Sequence, residues 1–235
     1  MKRHIVVPVL VMAAVAFAGA HTKSLPDPTY SVAAVKGKLL RLEPEPEERL
    51  QVGSVVEAGS LLRTGWRSSA TIASPQAAST FLIGTRTRFR TASGQPGVLL
   101  ELDKGRARAI FDAISEGPSP ERIVTTPSAM LAVRGTEYGV AVSRAGNTSV
   151  VVFSGVVAVT DRAGTAPAVM VSAGQYCDIA KGKLPGAVQR HGLGRSDWDH
   201  GKMPHSASGQ GAGSPSHGPR PEPQRGAGGS WGHGG

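Results

Sequence analysis

The side chains that could do chemistry in this chain are few and unevenly placed. Arg86, Arg88 and Arg90 alternate with Thr87 and Phe89. An extended segment there puts three guanidinium groups on one face and the phenyl ring on the other. Arg106 and Arg108 repeat the spacing beside Ala107 and Ala109. Together the five arginines form a candidate interaction surface for a phosphate, a polyanion or an acidic partner segment. The plainer reading is a solvated strand face, partly neutralised by Glu101, Asp103 and Asp112. Between residues 22 and 181 there are 18 Lys and Arg against 14 Asp and Glu, a surplus of four. That is too little for nucleic-acid recognition, and the whole-chain +9 includes two basic residues at the extreme N-terminus.

Catalysis needs a base or nucleophile on the fold with a partner within hydrogen-bond reach. No histidine lies between Thr22 and Arg190, so Ser-His-Asp and Cys-His arrangements are excluded from a domain ending near residue 181. The one cysteine, Cys177, cannot form an intrachain disulfide and reads as a small buried residue. Glu101 and Asp103 alternate onto one solvated face beside Lys104. There is no phosphate-binding glycine loop and no H-E-x-x-H pattern. The expectation is a protein that is not an enzyme and carries no cofactor.

The elements that must position these residues are short. From Thr125 to Thr160, three apolar β-branched runs are separated by RGTEYG, RAGNT and SG. Their period of two and their glycine and asparagine punctuation read as strands joined by tight turns. Gly146 or Asn147 can supply the left-handed residue of a hairpin across Arg144–Asn147. Tyr138 alternates with Val140 and Val142 and reads as a core residue, while Arg134 is in reach of Glu137. Upstream, strand-like runs lie on either side of Gly37, of Glu57–Gly59 and of Pro75–Gln76. Glu43–Glu48 (EPEPEE) reads as a solvated loop. Asp112–Pro120 is where a turn of helix could begin. Leu102–Arg106 and Val152–Val156, fifty residues apart, share a strand–glycine–strand pattern, as two stacked β-layers would. The fold class expected is all-β: one domain of many short antiparallel strands, as a jelly-roll-like sandwich or a short β-helical stack.

TPxAxLAVRGTEYGV, from Thr126 and Pro127 through Arg134, Gly135, Thr136, Glu137 and Tyr138 to Val140, resembles the central segment of the FecR domain. Gly53–Gly65 resembles that family's opening strand–turn–strand, Leu102–Ala109 its glycine-linked basic strand pair, and Ala173–Tyr176 its closing turn. The resemblance runs from about Ser31 to Ala180. It implies an extracytoplasmic module of the kind found in iron-uptake signalling regulators. Those regulators carry a sigma-binding segment and a membrane helix ahead of the domain, and a transporter-contacting module behind it. Here a leader precedes the domain directly, so the resemblance implies a stand-alone form.

Lys2, Arg3 and His4 precede an apolar run, Ile5–Ala18, and Ala18-Gly19-Ala20 supplies the small residues of a cleavage site before His21. This reads as a signal peptide, since the run is short of the roughly 20 residues a membrane span needs. No later run is long enough to span. The organisation expected is therefore a signal peptide at 1–20, a leader arm at 21–30, a FecR-like domain at 31–181 and a disordered tail at 182–235. The tail holds fifteen glycines, six prolines and six serines. Five of the seven histidines lie in it, and Asp197 and Asp199 near His200 and His205 give metal binding as a remote reading. Trp198 and Trp231 are candidate binding anchors in the tail. The function expected is a periplasmic or secreted interaction or scaffold module of the cell envelope, with a protein partner. The alternative is a module for peptidoglycan or another wall polysaccharide, although five Phe and three Tyr leave little for a stacking platform.

Overall fold

The computed structural model describes residues 28–92, 94–113, 122–133 and 135–204. The leader, Arg134, most of the Asp112–Pro120 stretch and the chain from His205 onward lie outside them.

The first half of the chain holds β1 (Tyr30–Lys36), β2 (Leu39–Arg41), β3 (Glu48–Leu50), β4 (Val55–Val56), β5 (Leu61–Thr64), β6 (Ser69–Ser74), β7 (Ser79–Ile83), β8 (Arg88–Thr91) and a long β9 (Val98–Phe111). The second holds β10 (Arg122–Thr125), β11 (Ala129–Val133), β12 (Glu137–Val142), β13 (Thr148–Ser154), β14 (Val156–Asp161), β15 (Val169–Ser172), β16 (Gln175–Ile179) and β17 (Gln189–Arg190). A five-residue helix, α1 (Arg195–Asp199), follows.

The pairings sort these strands into two sheets. One runs β4-β1-β6-β7-β9-β12-β13-β16-β17. The other runs β3-β2-β5-β8-β9-β10-β11-β14-β15. β9 belongs to both. Its first half pairs with β8 and β10, and its second half with β7 and β12. The inward residues of both sheets, among them Leu39, Ile72, Phe81, Leu100, Val124, Tyr138, Val150 and Val159, form one apolar cluster. Alternation of buried and exposed positions along β6, β7 and β11 is the expected signature of strands with one face on that core.

Three expectations are corrected here. The ladders are antiparallel apart from β9/β10, which is parallel. The chain leaves β9 at its far end in one sheet and re-enters beside its start in the other, so β10 must run the same way. The architecture is two sheets sharing a strand, one antiparallel throughout and the other antiparallel but for β9/β10, rather than a jelly roll or a β-helical stack. And Leu102–Ala109 is not a strand pair but the middle of one continuous strand.

The fifty-residue echo has a structural cause. Gly105 is where β9 passes from one sheet to the other, and Gly155 is where β13 hands over to β14 in the opposite sheet. Gly105 has φ +98° and a Cβ there would sit 2.6 Å from Thr87 Cα; Gly155 has φ +78° and a Cβ would sit 2.8 Å from Gly135 O. Both corners therefore require glycine. The RAGNT hairpin forms as expected between β12 and β13, with Gly146 at φ +83°.

The chain past Ala180 departs from the expected tail over residues 182–204. β17 adds to β16, and Trp198 of α1 is buried to 1 % exposure. The composition argument fails there because one indole, seated on a sheet, supplies apolar contact that a window average hides.

Candidate functional site

The segment from Thr126 to Val140 is structural at nearly every described position. Thr126 Oγ1 accepts the Ala129 N–H (2.9 Å), and a buried chain of hydroxyls runs from Ser128 to Thr148 (2.6 Å) to Thr126 (2.8 Å). With half-buried Pro127 these residues close the turn between β10 and β11. Gly135 lies at the crossing from β11 to β12, where the Thr136 hydroxyl donates to Val156 O (3.1 Å). Arg134 lies outside the described residues. Tyr138 is fully buried against Phe111, ring centroids 6.1 Å apart, and burial pushes its phenol above the ordinary tyrosine range. Glu137 faces outward, accepting from Arg108 Nη1 and Arg195 Nε at 2.6 Å each.

The five candidate arginines are not brought together. Arg88 and Arg90 stand on β8, in the sheet opposite the one that carries Arg106 and Arg108 on the second half of β9. Phe89 points into the core, as the alternation requires. Arg88 pairs with Asp103 (3.4 Å), while Arg90 donates to Gly59 O (2.6 Å) and reaches Glu43 (3.3 Å). Arg106 and Arg108 are engaged by the C-terminal segment. Arg106 lies over the Trp198 ring, 5.1 Å from its centroid, and donates to Trp198 O (2.9 Å). Arg108 grips both Asp199 oxygens (3.0 and 2.8 Å) as well as Glu137. Burial lowers the pKa of Arg106. At Arg108 burial acts the same way, but the bonds to Asp199 and Glu137 outweigh it and raise its pKa.

Arg86 belongs elsewhere. It precedes β8, at the crossing from β7, with φ 52°. The neighbouring crossing, from β5 to β6, holds Arg67 at φ 51°. The two corners share a Gly-x-Arg-hydroxyl pattern: Gly65-Trp66-Arg67-Ser68 and Gly84-Thr85-Arg86-Thr87. In each, the hydroxyl takes a backbone N–H from the next corner, Ser68 from Lys38 (3.0 Å) and Thr87 from Arg106 (3.1 Å). Between the two arginines stands Trp66, 66 % exposed, with the Arg67 and Arg86 guanidinium carbons 4.7 and 5.8 Å from its ring. Left-handed backbone at a non-glycine residue costs on the order of 1–2 kcal/mol. Here that conformation presents two cations on an exposed indole. Neither arginine, nor Lys38, has a carboxylate at ion-pair distance among the described residues. The repeated corner pattern was present in the sequence; only the sheet crossings show its purpose.

A second surface lies on the outer face of the β6–β17 sheet. Trp198 sits on Gly139, whose hydrogen occupies the place where any Cβ would collide with the indole ring. Val151, Tyr176, Ala141, Phe153 and Met203 complete the seat. An open groove of about 560 Å³, lined by Arg106, Ala141, Ser149, Asn147, Asp178 and Met203, continues from one side of this seat. Another of about 250 Å³, lined by Thr71, Leu82, Arg106 and Trp198, continues from the other.

Acid–base machinery is sparse. With residues 182–204 in place, the folded region does contain His191 and His200, a correction to the histidine-free reading. His191 Nδ1 accepts the Leu193 N–H (3.1 Å), so its Nε2–H is the donor to Val152 O (3.1 Å). His200 Nδ1 lies 2.7 Å from Ser196 O. Asp197 is bound by Lys202 (2.7 Å) and by the Gly194 N–H (3.1 Å), which hold its carboxyl below the usual range. Asp199 is taken by Arg108, and His205 lies outside the described residues. Among those described, no group of three metal-ligating side chains forms. Cys177 is buried, and burial first, then the neighbouring Asp178 charge, pushes its thiol up to about 11. No described helix is long and apolar enough to cross a membrane.

Residues 60–158 match the family described as FecR protein. No curated protein matches the chain. Two crystal structures of a protein described as a candidate anti-sigma factor from Parabacteroides distasonis, at 2.50 and 1.65 Å, align at 14 % identity and a TM-score of 0.45. Each alignment covers 55 % of this chain and 59 % of the other, so the chain spans somewhat under two thirds of that protein's length. The matched segment begins just before β5 and ends inside β14. It takes in the Trp66 corner, all of β9 and the Gly139 seat, but not α1. The family that residues 60–158 match consists of non-catalytic signalling and scaffold domains. Residues 60–158 are a FecR-domain-like region.

Proposed function

We propose that the chain is an exported interaction module of the cell envelope that presents the Trp66 corner to an acidic segment of a partner protein. The observation that carries this is the exposed indole held between Arg67 and Arg86. Tryptophan and arginine are the residues most enriched at binding hot spots, because each contributes large contact area with a directed polar or cationic group. A carboxylate reaching this corner meets two guanidinium groups beside a ready apolar surface. The FecR-like match and the basic-then-apolar leader support an envelope setting.

The test is a pull-down from solubilised envelope, with the chain from His21 as bait beside a Trp66→Ala/Arg67→Gln/Arg86→Gln variant. Sedimented cell wall is offered in parallel. A protein retained by the first bait and lost with the variant is the expected result. Salt-sensitive wall binding that the variant loses, with no protein captured, would assign the corner to an anionic wall polymer instead.

A further inference from the structure

The strap formed by residues 191–204 is seated on one aromatic anchor, Trp198, and tied down by Arg106, Arg108 and Glu137. Trp198 is buried, while most of the strap's other side chains stay exposed or half-exposed. Its ion pairs run from exposed or half-exposed strap side chains to mostly buried groups on the sheet: Arg195 to Glu137, and Asp199 to Arg108. This is how a short peptide sits on a protein: one aromatic anchor in a pocket, one carboxylate on an arginine, and a solvated remainder. The strap also lies outside the FecR-like segment, although its seat, Gly139, and its clamp, Arg108 and Glu137, lie inside it.

The groove is longer than the strap needs. It continues on both sides of Trp198, and on its larger arm the buried Ser149 hydroxyl finds no partner among the described residues. A buried hydroxyl without a partner is unfavourable and is relieved by a ligand that bonds to it. A competing segment can displace the strap only if it makes contacts the strap does not. The arm with Ser149 on its floor is where such contacts are available.

We infer that the outer face around Gly139 is a peptide-binding groove, and that the strap is a built-in competitor for it. The external ligand is a protein segment with a turn of helix that bears a tryptophan followed by a carboxylate, as α1 does. Trp fills the Gly139 seat under Arg106, the carboxylate pairs with Arg108, and the chain runs on toward Ser149. The inference rests on reading the chain as a protein-interaction module, but it uses a different face from the Trp66 corner.

The experiment titrates a fluorescein-labelled peptide of residues 194–203 into the full chain carrying Trp198→Ala, followed by fluorescence anisotropy. Saturable binding to that variant is expected. The wild-type chain should bind about 10–100-fold more weakly, because its own strap acts at an effective concentration near the millimolar range. Replacing Trp in the peptide should weaken binding by at least about 30-fold. Adding Gly139→Leu to the Trp198→Ala chain should abolish it. A Trp198→Ala chain that melts cooperatively yet takes up no peptide at millimolar concentration overturns the inference. If that chain does not fold, the wild-type chain is cut at a protease site placed between Leu184 and Ala187. Exchange of the cut strap for labelled peptide then supports the groove, and unfolding on cutting rejects it. None of these readouts depends on Trp66, so either reading can fail alone.

Discussion

Tyr138 shows how a residue can be read correctly from spacing and still hold something spacing cannot show. Its alternation with Val140 and Val142 places it in the core, and there it is, packed on Phe111. Its hydroxyl is buried with no hydrogen-bond partner among the described residues. An unpaired buried hydroxyl carries a desolvation penalty of about 1–3 kcal/mol. Tyr138→Phe is therefore expected to leave stability unchanged or raise it by about 1 kcal/mol, read from urea unfolding midpoints. A clear loss would mean that the phenol has an essential bond. Gly139, next to it, was silent in the sequence. A glycine in a strand signals close approach by something, but what approaches is an indole some sixty residues along the chain. The arginines were legible one by one, since alternation told which way Arg88, Arg90 and Phe89 face. Which sheet or corner each joins depends on strand pairing at long range, and that is why five residues taken as one surface fall in three places.

Among the elements, hairpins were the most legible and crossings the least. β6/β7 and β12/β13 announce themselves by turn residues between alternating runs. The crossings at Gly105 and Gly155 carry the same local signal as a hairpin turn, so sequence alone could not tell a fold-back from a change of sheet. The β14–β15 connection is closed by Asp161, whose carboxylate accepts from the N–H groups of Thr165 (2.9 Å), Ala163 and Ala166 (3.2 Å each) and from the Thr165 hydroxyl (2.9 Å). Burial alone would raise its pKa, but these four bonds prevail and hold it below the usual carboxylate range. A depressed folded-state pKa stabilises the fold above the unfolded value, about 3.9, and that contribution is lost as pH falls through the folded value. Asp161→Asn should accordingly lower the urea midpoint at pH 7. The gap to wild type should narrow as the pH drops below about 4. A gap that stays constant or widens with acid would show that the carboxylate's charge is not what closes this turn.

At the scale of the whole molecule, the two halves are paired through β9 alone among the described residues: β9 with β10 and β9 with β12. Their side chains nonetheless share one core. A common core and a common strand predict a single cooperative unit. Hydrogen exchange read by mass spectrometry in rising urea should show segments 61–74 and 148–161 losing protection at the same denaturant concentration. Separate midpoints would mean that each half opens independently.

β9 has one more consequence, which concerns synthesis rather than the finished molecule. A chain made only as far as Phe111 has β8 and β7 already available to one side of β9. The other side carries the ladder groups later taken by β10 over its first half and by β12 over its second. Until the next thirty or so residues emerge, that long strand is a bare edge, and bare edges recruit any extended chain nearby. Premature termination here would yield a template for self-association instead of half a working domain.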